Sequence, residues 1–536
     1  MRLRVADTLW RNVDNTIIFI HVIIVSSMQI CYTKTKRRKI MNAKRFLSAA
    51  LAAVQMSLLL AACGDTIPES NPADDTAAVQ ETTAPAETKP LSEEEKRALV
   101  KDDLPEKKFD GREYTVVTMD DTKADYVVDG ENAQLLNDSI YARNRTVIER
   151  FNVKLGAVTY ADRKKCRAAV QQVFKAGDAA AFDIVAYNMV DNSANAVAGM
   201  YHNLYDVPYI NFDKPWWGES NMDGLTVNGK AFMALGDLSI NTVNNVWAHL
   251  YNKDMAEDLN IENLYDVVRR GDWTIDYVKT LARTAYKDVN GDGVRNTGDT
   301  FGLGIASTSA FNVYLWSFDN PIISKDAGTP VFTLKTDKAA SIFTVITELY
   351  SDTVGVIPCI GKDYSSTDHK PEFQSSQLLI LAGAFKVLAN LAGDSDFSIG
   401  ILPYPKWDTN QEQYATILGG GSDAIGITLL ETGENLEFIG IITEALCAES
   451  YKQTVPVYFD VMLKSRYADE PDDAEMIQLI MDSRVSDLGY IYDYWKGAAF
   501  WLQDLVKAGN SNFVSHYESK WPAAQTYYEK VLAIFK

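Results

Sequence analysis

At 536 residues the chain exceeds what one hydrophobic core accommodates, so at least two domains are the default. Its 52 basic and 72 acidic side chains leave a net charge of −20. That balance argues against nucleic acid as partner, because phosphate backbones call for Lys and Arg, and against adhesion to anionic lipid through a basic patch.

In chain order, residues 1–40 hold a short apolar patch, Ile17 to Val25, and a basic run, Lys34 to Lys39. The patch is too short to span a bilayer, and a second possible start, Met41, directly precedes a complete export signal. The simplest account is that translation starts at Met41; an unusually long basic leader is the alternative. Residues 41–62 run from Lys44 and Arg45 through an apolar stretch to Leu60-Ala61-Ala62, with Cys63 next. Leu-Ala-Ala-Cys resembles the lipobox of bacterial lipoproteins, which implies a lipid on Cys63 and a body outside the cytoplasmic membrane. An ordinary signal peptide or membrane helix that happens to contain a Cys is the plainer reading. Removing the ten basic and two acidic residues of 1–62 leaves 42 against 70, net −28.

Residues 63–110 begin with a Thr/Ala/Pro/Glu-rich stretch that buries too little apolar surface to order, and is expected to be a flexible stalk. A short helix is expected from Leu91 to Val100 with Ser92 as its N-cap. Tyr114–Thr118 is β-rich, Asn137–Phe151 has a helical apolar stripe, and Val153–Leu155 reads as a strand. Arg163–Lys175 reads as a helix stopped by Gly177, and Phe182–Ala186 as a strand. This alternation predicts an α/β fold with a largely parallel sheet. Cys166, Cys359 and Cys447 are too few and too scattered for a metal clip and read as buried thiols; a single disulfide is the alternative.

Further on, Trp247-Ala248-His249-Leu250-Tyr251-Asn252-Lys253-Asp254 leads toward Gly271-Asp272-Trp273-Thr274 and a helix over Ile275–Tyr286. Later come Phe397 to Lys406, stiffened by Pro403 and Pro405, and Leu418 to Ile427 with three consecutive glycines. Taken in order behind a lipobox, these motifs resemble the extracellular solute-binding proteins of bacterial ABC importers, of the carbohydrate type. The resemblance spans residues 111–536. It implies a two-lobed, periplasmic-binding-protein-like (type II) α/β fold with hinge crossovers and ligand held between the lobes. Lobe one is expected at 111–250 plus 405–455, lobe two at 253–400, and a helical region packing on the lobes at 456–536. The resemblance implies as partners a small solute, a sugar, and the permease subunits of the importer, with the protein a monomer touching membrane only through Cys63.

Asp288-Val289-Asn290-Gly291-Asp292-Gly293-Val294-Arg295-Asn296-Thr297-Gly298-Asp299 matches the twelve-residue EF-hand loop. Asp288, Asn290, Asp292, Val294 (through its carbonyl), Asn296 and Asp299 fall at the ligating positions, so Ca2+ is an expected structural cofactor. Asp299 stands where calcium sensors place a bidentate Glu. The competing reading is a polar Asn-Gly, Asp-Gly turn.

For the ligand, sugar binders of the resembled family stack rings on pyranose faces among polar side chains. The expected contacts are Trp217, beside Trp216 and Glu219, and Trp316 with Asp319. Asn244 (with Asn241 and Asn245), Trp247, Trp495 in the Tyr492–Trp495 cluster, and Ser422 complete the set. Most large rings, however, belong to cores. No nucleophile elbow, zincin motif, phosphate loop or dinucleotide fingerprint is present, so a catalytic set is not expected. A secreted carbohydrate-active hydrolase with paired carboxylates remains the alternative, and an adhesive lipoprotein would more naturally show repeats.

Overall fold

The computed structural model describes residues 93–536 apart from 297, 327, 352, 360–366, 392–394, 460–470 and 495. The export signal, Cys63, the stalk, Ser92 and Trp495 lie outside the described residues. All described residues belong to one compact unit, Lys89–Lys536.

Two four-stranded sheets organise it. In the first, β1 (Arg112–Met119) pairs in parallel with β2 (Val153–Tyr160) on one side and β3 (Ile184–Asn188) on the other. The helices between them start and stop where the sequence provides caps. Asp162 accepts hydrogen bonds from the backbone N–H of Lys164 and Lys165, both at 2.9 Å, to open the helix Arg163–Ala176. Gly177, at φ +70°, closes it in the left-handed conformation. The helix Leu135–Phe151 ends similarly on Asn152 at φ +51°. β3 is buried along its whole length because helices cover both faces of a parallel sheet.

β4 (Trp247–Asn252) starts the second sheet. It lies antiparallel between β6 (Leu378–Ala384) and β7 (Ile399–Leu402), and β5 (Phe301–Ile305) extends the sheet in parallel with β6. β6 reads Leu-Leu-Ile-Leu-Ala-Gly-Ala and is buried throughout, the continuous apolar run expected of an interior strand. The chain then returns to the first sheet, where β8 (Asp423–Gly426) pairs antiparallel with β3. Each sheet therefore contains one strand that opposes its parallel neighbours, and in each case it is the strand that has just arrived from the other sheet's side of the chain.

Two of the singled-out motifs meet at this passage. Trp273 is fully buried and donates from Nε1 to the Pro403 carbonyl at 2.8 Å. The backbone N–H groups of Ile275 and Lys406 bond to the carbonyls of Lys406 and Trp273 at 2.9 and 3.0 Å. The Asp-Trp-Thr entry to the helix Ile275–Ala285 is thus clamped to the chain leaving β7.

The C-terminal part contains the helices Pro471–Asp482, Trp501–Ala508 and Phe513–Ala533. It reaches both sheets' layers: Phe513 packs on Phe343 with ring centroids 4.3 Å apart, while Phe535 packs on Phe232 at 5.3 Å. Cys166, Cys359 and Cys447 are buried free thiols.

Candidate functional site

The parallel strands of both sheets run out at one shared hollow of about 350 Å³. From the first sheet come Asn188, the last residue of β3, with Val190 and Arg163 beside it. Trp247, the first residue of β4, faces them together with Ala384, its register partner at the end of β6. Ser307 and Ser309 follow β5, Lys370 and Lys386 flank β6, and Tyr490 and Phe500 close the hollow from the C-terminal part. Open α/β sheets place ligands at the carboxyl ends of their strands, and this volume lies within the roughly 300–1,000 Å³ of ligand pockets.

Its floor is the loop Gly419-Gly420-Gly421. A methyl group on Gly419 would stand 3.0 Å from the Trp247 indole nitrogen, and one on Gly420 would stand 2.8 Å from Val190 Cγ2. The Gly420 N–H donates to the Tyr490 hydroxyl at 2.7 Å. Backbone, ring and hydroxyl approach too closely there for any side chain.

The polar lining is cationic, amide or hydroxyl. Arg163 contacts Asp191 at 2.9 Å, but Asp191 also takes Arg167 at 2.7 Å, so one carboxylate serves two guanidiniums. Lys370 lies 3.2 Å from Asp368. Lys386 makes no hydrogen bond or ion pair among the described residues. Lys386 is exposed at the hollow, and partial desolvation by its walls pulls the ammonium below the ordinary lysine value, with Asp121 and Asp423 opposing this and Lys370 adding to it. Behind the floor, burial pushes Asp423 up to about 8, with Asp125 adding to it, and Asp125 itself to about 6. Ser239 Oγ donates to Asp125 at 2.8 Å, and Tyr126 donates to Asp423 at 2.9 Å.

Of the sequence-predicted contacts, Trp247 is in the hollow. Asn245 lines it, whereas Asn244 is turned away and accepts from the Tyr458 hydroxyl. Trp217 is a correction: it is fully buried, with Nε1 donating to Glu444 Oε2 at 3.0 Å. Trp216 does the same to Glu444 Oε1 at 2.9 Å. The paired rings form core because one interior carboxylate satisfies both N–H groups. Trp316 is corrected likewise; its Nε1 donates to buried Asp487 at 2.8 Å, and its ring backs Tyr490 at 4.9 Å, one layer behind the hollow. Asp319, at φ +51°, lines a separate hollow with Trp316. Ser422 is buried and donates to the Asn241 carbonyl at 3.0 Å.

In the loop 288–299, Asp288 accepts from the N–H groups of Gly291 and Gly293 at 2.7 and 2.9 Å. Asp292 accepts from the Val294 N–H at 2.7 Å. Asp299 is buried beneath them and accepts from the Val289 N–H at 3.3 Å. Among the described residues no three His, Cys, Asp or Glu converge closely enough to hold a metal. These carboxylates accept from the loop's backbone amides, Asp292 also from the side-chain amides of Asn290 and Asn296, and Asp299 also from the Tyr286 hydroxyl.

Compared with known proteins, the sequence matches no family model and no curated protein. The fold does match solved structures. One is an ABC substrate-binding protein from Listeria monocytogenes in complex with cycloalternan, with TM-score 0.52 and 15% sequence identity over 78% of this chain and 99% of that one. Another is UspC of M. tuberculosis, with TM-score 0.50 and 14% identity over 77% of this chain and 100% of that one. The chain has the two-lobed α/β fold of ABC-importer solute-binding proteins. No helix among the described residues is long and apolar enough to cross a membrane.

Proposed function

We propose that this chain is a lipid-anchored extracellular solute-binding protein that captures a small saccharide by hinge closure and passes it, unaltered, to the permease subunits of an ABC importer. The observation that carries the reading is the hollow bracketed by the strand ends of both sheets, with Trp247 on the crossing strand itself. A ligand that touches both sides favours the closed arrangement in proportion to its extra contacts there. Rings beside Asn and Ser side chains suit a pyranose, whose faces are apolar and whose edge is hydroxyl. The Listeria protein of like fold was solved with cycloalternan, which points the same way.

The hydrolase alternative needs two carboxylates flanking the scissile bond. The described lining holds no Asp, Glu or His, which favours binding over turnover. Anchoring rests on Leu-Ala-Ala-Cys63, and places the body on the outer face of the cytoplasmic membrane as a monomer. The loop 288–299 is proposed to take Ca2+ as a structural clip, its carboxylates turning from the loop amides to the ion.

The reading is tested by a thermal-shift screen against saccharides and peptides, followed by small-angle scattering with the best hit. A saccharide that binds near 1:1, contracts the protein and is recovered intact supports it. Hydrolysis products, or saturable binding without contraction, overturn it.

A further inference from the structure

We propose that the solute is an anionic saccharide, a sugar carrying a carboxylate or sulfate group, gripped by Lys386 and Lys370 from the second sheet and Arg163 from the first. This rests on the saccharide reading of the hollow given above.

The charge distribution carries it. The chain has twenty more acidic than basic side chains, yet the described lining of the hollow contains three cations and no carboxylate. Such local inversion against a strongly negative whole is what an anion-selective cleft requires, because low-dielectric walls focus the field of the groups inside. The nearest carboxylates do not cancel it. Asp191 is shared between Arg163 and Arg167, which contact it at 2.9 and 2.7 Å. Asp423 is 1% exposed, lies behind the floor, and accepts from Tyr126. Asp121 and Asp368 are the exposed carboxylates near the two lysines, with Asp368 paired to Lys370. Lys386 alone stands in the hollow with no ion-pair partner among the described residues, although it projects from the first turn of the helix Phe385–Leu391.

Placement adds a mechanical consequence. Arg163 begins the helix after β2, whereas Lys370 precedes β6 and Lys386 follows it, so the cations stand on opposite walls. Without ligand, like charges on two walls resist closure; an anion between them reverses the sign of that term. A neutral sugar offers hydroxyls to the same groups but leaves the repulsion in place. Anion binding and lobe closure are therefore coupled through the same side chains.

The experiment is isothermal titration calorimetry with matched acidic and neutral saccharides: glucuronate against glucose, digalacturonate against its dimethyl ester, and glucose 6-sulfate as the sulfate arm. The expected result is that the acidic member of a pair binds roughly ten-fold or more tightly, the size of a charge-assisted contact. That advantage shrinks as salt is raised. Lys386→Gln and Lys370→Gln, checked for unchanged melting temperature, abolish the preference by lowering acidic affinity about ten-fold more than neutral affinity. Equal binding of acid and ester, or a preference that survives both substitutions, overturns the inference and leaves solute capture standing. A neutral oligosaccharide that alone binds and contracts the protein does the same. If no saccharide of either kind binds, the underlying saccharide reading falls and this one with it.

Discussion

Two aromatic regions look alike in the sequence and differ in the fold. Trp216-Trp217 is a pair of rings in a Pro-containing loop, and Trp247 is one ring at the head of a β-rich run. In the fold the pair is core, each indole N–H held by Glu444, while Trp247 opens onto the hollow and its indole N–H bonds to nothing among the described residues. Trp316 sides with the pair, its N–H held by Asp487. The lesson is that an aromatic's polar handle, not its company in sequence, separates core from cleft. A buried Trp finds an acceptor inside the protein, and a ligand-facing one keeps its N–H for the ligand.

The largest effect expected from this contrast is on stability at the pair. Trp217→Ala should cost about 3–5 kcal/mol, the range for deleting a large core ring, and Glu444→Ala about 3 kcal/mol by orphaning two buried N–H groups. Urea denaturation measures both, and ligand affinity of the folded variants should stay unchanged. A lost affinity with intact stability would put the pair back in the cleft.

Next in size is Trp247→Ala, expected to lower affinity for the identified saccharide roughly ten-fold or more, and to remove most of the ligand-induced change in tryptophan fluorescence. Gly420→Ala should weaken binding by a similar or smaller factor, since its methyl group would meet Val190 at 2.8 Å and press on the floor. Unaltered affinity in both would separate the hollow from the binding site.

Smaller again is a pH effect that distinguishes the interior of the first lobe from its surface. Burial pushes Glu444 and Asp423 up to about 8, and Asp237 and Glu431 up to about 7. A carboxyl whose folded pKa is raised holds its proton after the unfolded chain has released it, so its contribution to stability is lost as pH rises through the folded value. His249 is buried and drawn down to about 3; it opposes this trend only below its unfolded value of 6.5. Melting temperature should therefore fall by a few degrees as pH rises from 6.5 to about 8, with Glu444→Gln flattening the slope. A rising or level profile in that window would mean these carboxyls ionise freely.

The smallest effect concerns the loop 288–299. Calcium should raise the melting temperature by a few degrees and chelator reverse it, with Asp292→Ala abolishing the response. Indifference of the unmodified protein to both would reduce the loop to a self-capped turn, in keeping with its bonds to its own amides.

Local signals carried the elements of the first sheet. Asp162 and Gly177 bracket a helix in the sequence as in the fold, because caps act over three or four residues. The passage from Trp247 through Asp272-Trp273-Thr274 was legible for the same reason, as strand and capped helix side by side. What the cleft contains was not. Asn188, Arg163, Lys370, Lys386 and Tyr490 share no spacing, since they meet only where separate strands end in space. The fates of Trp217 and Trp316 were equally hidden, because Glu444 and Asp487 approach them from far along the chain. Sequence by itself determined which segments became strands and helices, through short-range capping and apolar periodicity. Tertiary structure alone decided which rings and charges face the ligand, because burial and electrostatic fields are summed over neighbours the chain brings together only on folding.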